Sequence, residues 1–305
     1  MGAGHGHGHG PATGHVGGRY RWRLAVTFAM VACFLVVELV VGILSGSLAL
    51  ISDAGHMAAD VVALGAALVA TRIATRPDVT GRRTYGSYRA EIFASGLTVL
   101  IMLGVAVYVV IEAIRRIGSE VEVATGAMLV VGVIGLVINI ASMLLLREGS
   151  NESLNVRGAY FEVVADAAGS VGVILAGLLI AATGQTFWDT AVALAIGAFV
   201  AVRAVLLGRQ VLAVLGQHVP EGVVLDEVVS DLEAVEGVAG VHDLHIWTLT
   251  SGMNVATAHL VLKGEADGQR VLTAAQTVLA GQHKIEHATL QTETAPTRQC
   301  HEVNW

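Results

Sequence analysis

Residues 53–60 read Asp-Ala-Gly-His-Met-Ala-Ala-Asp, inside a stretch from about Ser47 to Ala70 that is otherwise almost wholly apolar. Asp53, His56 and Asp60 therefore fall within a segment long enough to cross a membrane. An ionisable group at bilayer depth costs about 2.5–3.5 kcal/mol even on a lenient insertion scale, so it marks a functional site. His56 and Asp60 are four residues apart, which on a helix sets both side chains on one face, one turn apart. An imidazole nitrogen and a carboxylate oxygen can then converge on one cation. The spacing recurs in Phe161-Glu162-Val163-Val164-Ala165-Asp166, where Glu162 and Asp166 lie in a second apolar stretch. Two helices thus offer four candidate ligands, the number a tetrahedral zinc-like site needs. Asp53 lies on nearly the same face but closer to the outer end, and is expected to hydrogen-bond behind the ligands rather than to coordinate.

Depth decides whether the two pairs can meet. Counted from Ser47, His56 and Asp60 lie about 14–20 Å into the span at 1.5 Å per residue. Counted from Asn155 on the opposite side, Glu162 and Asp166 lie roughly 10–16 Å in, and the two depths sum to about the 30 Å of a hydrocarbon core. The pairs can share one level.

The chain is 54% hydrophobic and 14% charged with a mean hydropathy of +0.67, which excludes a water-soluble globule and indicates a polytopic membrane protein. Apolar runs at about 24–44, 47–70, 92–114, 123–146, 156–182 and 187–207 predict six transmembrane helices. The net charge of −7 is segregated, with arginines flanking the spans and the acidic excess beyond Pro220, so no nucleic-acid footprint exists. Cys33 and Cys300 are the only cysteines and lie far apart in the pattern, which excludes a disulfide framework. The first span is too long for a cleavable signal and carries Glu38, a carboxylate suited to carrying a proton or to pairing with a polar neighbour. Nearly all the span-flanking arginines fall on one side if both termini are cytoplasmic, against Arg115 and Arg116 outside.

Four segments follow in order. Residues 1–18 form a His/Gly-rich tail expected to be disordered, in which His5, His7, His9 and His15 suit a weak transition-metal trap. Residues 19–212 hold the six spans, 213–295 a small cytoplasmic domain and 296–305 a C-terminal tail. In the third segment, helix 223–236, strands 241–250 and 253–262, helix 266–280 and strand 285–293 give an α+β order. That order fits a ferredoxin-like domain whose first strand is missing or short. A tight turn at Ser251-Gly252 sets Leu244 opposite His259, with His242 diagonal to His259 on one face and His245 on the other. His242 and His259 are candidate metal ligands, and His283, Glu286, His287, Cys300 and His301 are further candidates from the end of the chain. Asn139 reads as a polar residue joining two helices.

Six spans, His-x-x-x-Asp in the second, the matching pair in the fifth and His242-Asp-Leu-His-Ile-Trp-Thr-Leu-Thr-Ser-Gly252 together resemble the cation diffusion facilitator family. Further matches stand at Gly46-Ser-Leu-Ala-Leu-Ile-Ser-Asp-Ala-Gly-His-Met57, Asn155-Val-Arg-Gly-Ala-Tyr160 and Gly216-Gln-His-Val-Pro-Glu-Gly-Val223. The resemblance is to the bacterial zinc, cobalt and cadmium efflux branch and covers roughly residues 20–295. It implies a homodimeric exporter in a bacterial plasma membrane that exchanges a divalent cation for protons, with the metal at His56, Asp60, Glu162 and Asp166. Zn2+ is the expected substrate and regulatory ligand, with cadmium and cobalt as alternatives and no organic cofactor. The chain departs from the branch in carrying Glu162 where His is usual, which gives an alternative reading, an exporter with preference shifted towards manganese. It also carries Ser87 where some members bind a metal through His, and Gln291 where the last strand usually supplies a histidine. A phosphate loop of the Gly-x-x-x-x-Gly-Lys type and a His-Glu-x-x-His motif are both missing, which argues against an ATP-driven pump and a metallohydrolase. A membrane metal sensor is the other reading, and it leaves the intramembrane carboxylates unexplained.

Overall fold

A helix in lipid must satisfy its own backbone and turn its apolar side chains outward, and the long helices of the chain are built on that rule. The structure, a computed structural model, describes residues 16–74, 85–117, 122–150, 154–250 and 252–295. The tail histidines His5, His7, His9 and His15, and Cys300 and His301, lie outside the described residues. Six long helices come first: α1 (Val16–Ser45), α2 (Leu48–Ala74), α3 (Ala90–Arg116), α4 (Thr125–Ser150), α5 (Leu154–Thr183) and α6 (Phe187–Leu215). Then follow α7 (Leu225–Glu233), β1 (Val238–Thr250), β2 (Met253–Leu262), α8 (Gly268–His283) and β3 (His287–Glu293), in the expected helix, strand, strand, helix, strand order. Five of the long helices, all but α2, contain segments long and apolar enough to cross a membrane.

The chain divides into two compact units, Met1–Gly65 with Leu97–Val205, and Ala66–Gly96 with Leu206–Trp305. In the first unit large apolar side chains such as Leu44, Leu100 and Leu178 face outward, while Glu38, Ser52, Asp53, His56, Asn139 and Asp166 are buried. Small residues let the helices approach. A Cβ at Gly177 would meet Leu129 at 2.7 Å, and one at Gly135 would meet Phe34 at 2.6 Å, so α4 packs closely on α5 and α1 through glycine. Asn139 joins α4 to α5 as expected, donating from Nδ2 to Ser170 Oγ at 3.3 Å.

The start of α2 is closed by another helix. Ser47 Oγ donates to Asp189 Oδ1 at 2.6 Å, and the Leu48 and Ala49 amides donate to the same carboxylate at 2.6 and 3.2 Å. Arg116 Nη1 completes the cluster by donating to Asp189 Oδ2 at 3.2 Å and to the Gly46 carbonyl at 3.0 Å. A carboxylate at a helix N-terminus satisfies orphan amides and complements the helix dipole. Because Asp189 stands in the first turn of α6, the clamp also sets α2 beside α6. One turn further on, Ser52 Oγ donates to the Ala193 carbonyl at 3.2 Å.

In the second unit β1, β2 and β3 form a three-stranded sheet in that order, β1 antiparallel and β3 parallel to β2. No strand precedes α7 among the described residues. Ile246, Ala256 and Leu260 of the sheet pack with Val228 and Leu232 of α7 and Val271, Ala275 and Leu279 of α8. Asp267 caps α8 by accepting from the Gln269 and Arg270 amides at 3.0 and 3.4 Å. The strand register differs from the tight-turn expectation. From His242 to Thr250 β1 advances eight residues while from Met253 to His259 β2 advances six, with slips between Thr248 and Thr250 and between His242 and His245. Asp243, at φ 53, takes up the second slip in the left-handed region, where short polar side chains are tolerated.

Replacing Asp189 by alanine is expected to lower the stability of the solubilised protein by about 3 kcal/mol, since it strips several buried donors and leaves Arg116 without its carboxylate. Thermal unfolding in detergent is the measurement. Ser47→Ala, which removes only one hydroxyl of the cap, should cost about 1 kcal/mol.

Candidate functional site

His56 and Asp60 lie on one face of α2, as their spacing requires, and Asp166 of α5 meets them. One ligand atom from each of the three can be chosen so that all lie within 4.8 Å of one another. His56 Nδ1 is 3.6 Å from Asp60 Oδ2 and His56 Nε2 is 3.7 Å from Asp166 Oδ1. His56 is 1% exposed and Asp166 3%, so the group sits inside the helix bundle. The His56 ring stands edge-on to Phe199 of α6, with centroids 5.8 Å apart.

Glu162, the fourth expected ligand, stands elsewhere in this arrangement. Both its carboxylate oxygens accept from Arg203 Nη2 at 2.7 Å. Arg203, on α6, also brings Nη1 to 3.2 Å from His56 Nε2 and Nη2 to 3.9 Å from Asp60 Oδ1. A guanidinium has only donors, so the contact with His56 requires a lone pair on Nε2 and leaves the imidazole proton on Nδ1, toward Asp60. Arg203 was not among the residues singled out from sequence. Its signal was present, because an arginine inside the apolar run 187–207 is itself an intramembrane charge. Asp53 stays apart from the three, packed against Gly169 of α5 and facing Glu38 of α1. Both carboxyl groups are buried, Asp53 at 1% and Glu38 at 0% exposure.

A second group lies in the three-stranded sheet. The two slips in β1 bring His242 directly opposite His259 instead of diagonal to it, and their rings lie 5.1 Å apart. Glu293 of β3 joins them, with Oε1 3.0 Å from His259 Nδ1 and Oε2 3.3 Å from His242 Nε2. These three also have ligand atoms within 4.8 Å of one another. Gln291 pairs with His259 in register, and Glu293, two residues on, falls on the same face, where it accepts from Gln291 Nε2 at 2.8 Å. That period of two is the signal that could have found Glu293. The slip moves His245 opposite Thr257, onto the side of the sheet it shares with His259 rather than the far side, and its Nε2 lies 2.9 Å from Asp243 Oδ1. His283 pairs with Asp231 at 2.8 Å and His287 stacks edge-on against Tyr85, while Glu286 is exposed. None of those three belongs to the His242, His259 and Glu293 group.

Buried nitrogen and oxygen ligands inside apolar helices, with a further His-His-Glu group in a small α+β domain, define a multi-pass membrane protein that handles cations. The chain belongs to the cation efflux family, also called the cation diffusion facilitators: residues 24–215 match the cation efflux transmembrane domain and residues 220–295 the cation efflux protein cytoplasmic domain. It is 44% identical to the metal cation efflux system protein CzcD of Cupriavidus metallidurans over 98% of this chain and 92% of that one. A cadmium, cobalt and zinc/H(+)-K(+) antiporter of Bacillus velezensis is 34% identical, with 92% and 91% covered. The zinc transporter ZitB of Escherichia coli is 36% identical, with 92% and 88% covered.

Replacing His242 and His259 together by alanine is expected to remove one zinc equivalent per chain from a calorimetric titration of the full-length protein in detergent. An unchanged stoichiometry would remove the sheet group from the list of metal sites.

Proposed function

We propose that the protein exports divalent metal ions, zinc foremost and cadmium and cobalt besides, in exchange for protons. The observation that carries this reading is the convergence of His56, Asp60 and Asp166 inside the helix bundle of a cation efflux protein. One nitrogen and two carboxylates suit a borderline divalent cation. Asp53, beside Glu38, keeps its expected role behind the ligands. The relatives named as zinc transporter and as zinc/H(+)-K(+) antiporter support the substrate and the counter-ion.

In this reading α2 is a sixth span. Its apolar composition and the buried Ser52, Asp53 and His56 argue for a helix enclosed by the other five. Both termini are cytoplasmic by the arginine bias, and the exporter works as a homodimer. The ferredoxin-like domain carries a regulatory zinc at His242, His259 and Glu293, and the His/Gly tail a weak one. Metal ligands must be free of protons to bind, so loading the site releases protons and protonation from the other face releases metal. Alternate exposure of one site then couples two gradients. The pairing of Glu162 with Arg203 weighs against the reading in which Glu162 coordinates and turns the site towards manganese.

Proteoliposomes with an imposed pH gradient test the proposal. Wild-type protein should drive zinc against its gradient, and Asp60→Ala or Asp166→Ala should abolish flux at equal protein level, because each leaves an incomplete ligand set. Flux that ignores the pH gradient would rule out proton exchange, and flux undiminished in either variant would rule out the site. Deleting residues 2–16 should lower flux only at limiting metal, since a tethered chelator raises local concentration without entering the pathway. Loss of flux at saturating zinc would instead make the tail part of the pathway.

A further inference from the structure

Resting on the export reading, we propose that Arg203 is a built-in counter-charge to Glu162 that withholds this carboxylate from the membrane site and competes with the cation for His56. Three carboxylates, Asp60, Glu162 and Asp166, gather around His56, and Arg203 touches or approaches three of these four residues. Arg203 and Glu162 cancel as a pair, so Asp60 and Asp166 are the carboxylates left to a cation at His56, while the Nη1 contact occupies the Nε2 lone pair that such a cation would use.

The geometry carries the assignment beyond arithmetic. Arg203 Nη2 takes both oxygens of Glu162, which holds that carboxylate away from the three-residue group. Phe199, one turn earlier on α6, lies under the guanidinium with Cζ 5.9 Å from the ring centroid and also bears on the His56 ring. Arg203 is therefore held from three sides. Nη1 meanwhile uses the Nε2 lone pair of His56, so an ion bound there displaces Nη1 while Nη2 keeps its hold on Glu162. Arg203 therefore sets the affinity of the site: it keeps Glu162 out of the ligand group and makes any ion compete with a tethered cation for the histidine.

The two charges should act in opposite directions on affinity, which a merely structural pair would not do. Zinc binding to solubilised full-length protein is measured in the H242A/H259A background, so that the sheet group does not contribute. Arg203→Gln, which frees Glu162 to coordinate, should tighten zinc about tenfold or more and slow flux by delaying release. Glu162→Gln, which leaves Arg203 unbalanced, should weaken zinc by a similar factor. The double variant E162Q/R203Q should return to within about threefold of the parent, a coupling that defines the pair. Arg203→Lys keeps the charge but loses the two-nitrogen hold of the guanidinium; it guards against misfolding of the glutamine variant and should bind zinc with an affinity between those of the parent and Arg203→Gln. Shifts of the same sign in the two single variants, or a double variant no nearer the parent than either single, would overturn the proposal. So would an R203K affinity equal to that of R203Q. Wild-type vesicles that fail to move zinc would count against export alone, since the affinity cycle decides the charge pairing separately.

Discussion

The first amides of α2 donate to a carboxylate that belongs to α6, and that bond sets His56 and Asp60 against Arg203. Counted from the Asp189 clamp, His56 is eight residues past Leu48, about 12 Å along α2, and Arg203 is fourteen residues past Asp189, about 21 Å along α6. A helical side chain leans toward the N-terminus of its own helix. The long side chain of Arg203 therefore reaches back up α6 to the level of His56 and Asp60. Ser52 and Ala193, bonded one turn past the clamp, keep the two helices in step over that distance.

Lipid as solvent explains the rest of the sorting. With apolar tails outside, burying another leucine gains little, and helices associate through close backbone approach and polar contacts. Gly135 and Gly177 bring α4 against its neighbours, and Gly169 does the same for α5 beneath Asp53. The carboxylates can be buried because the helices around them are so close that lipid is kept out, and because Arg203 and His56 stand among them.

Much of this was legible in the sequence, for reasons that differ by residue. His56, Asp60 and Asp166 stood out because a charge in an apolar run has few explanations, and because their spacing repeats. Asp189 and Arg203 are also charges within an apolar run, yet they stand fourteen residues apart in it without a partner four residues away, and the contacts that explain them cross between helices. The pairing of Glu162 with Arg203 was hidden for the same reason, since its spacing from Asp166 implies a shared face but is silent about an arginine on α6. In the sheet, the alternation of apolar residues fixed which strands exist, whereas the slips in β1 depend on Asp243 adopting a left-handed backbone, which an aspartate allows but does not demand. Two slips move the register by an even number, so His242 kept its predicted side and only its partner changed. His245 lies between the two slips and changed sides.

The irregular β1 has a consequence for how the small sheet meets other chains. A strand on the rim of a sheet offers a row of unused donors and acceptors, on which an extended segment can polymerise. β1 is one rim of this sheet, and its course is broken between Val238 and Gly240, between His242 and His245 and between Thr248 and Thr250. β3, at the other rim, is only 7 residues long. Breaks and shortness of this kind are how natural sheets discourage strand addition, and each described rim carries one of them.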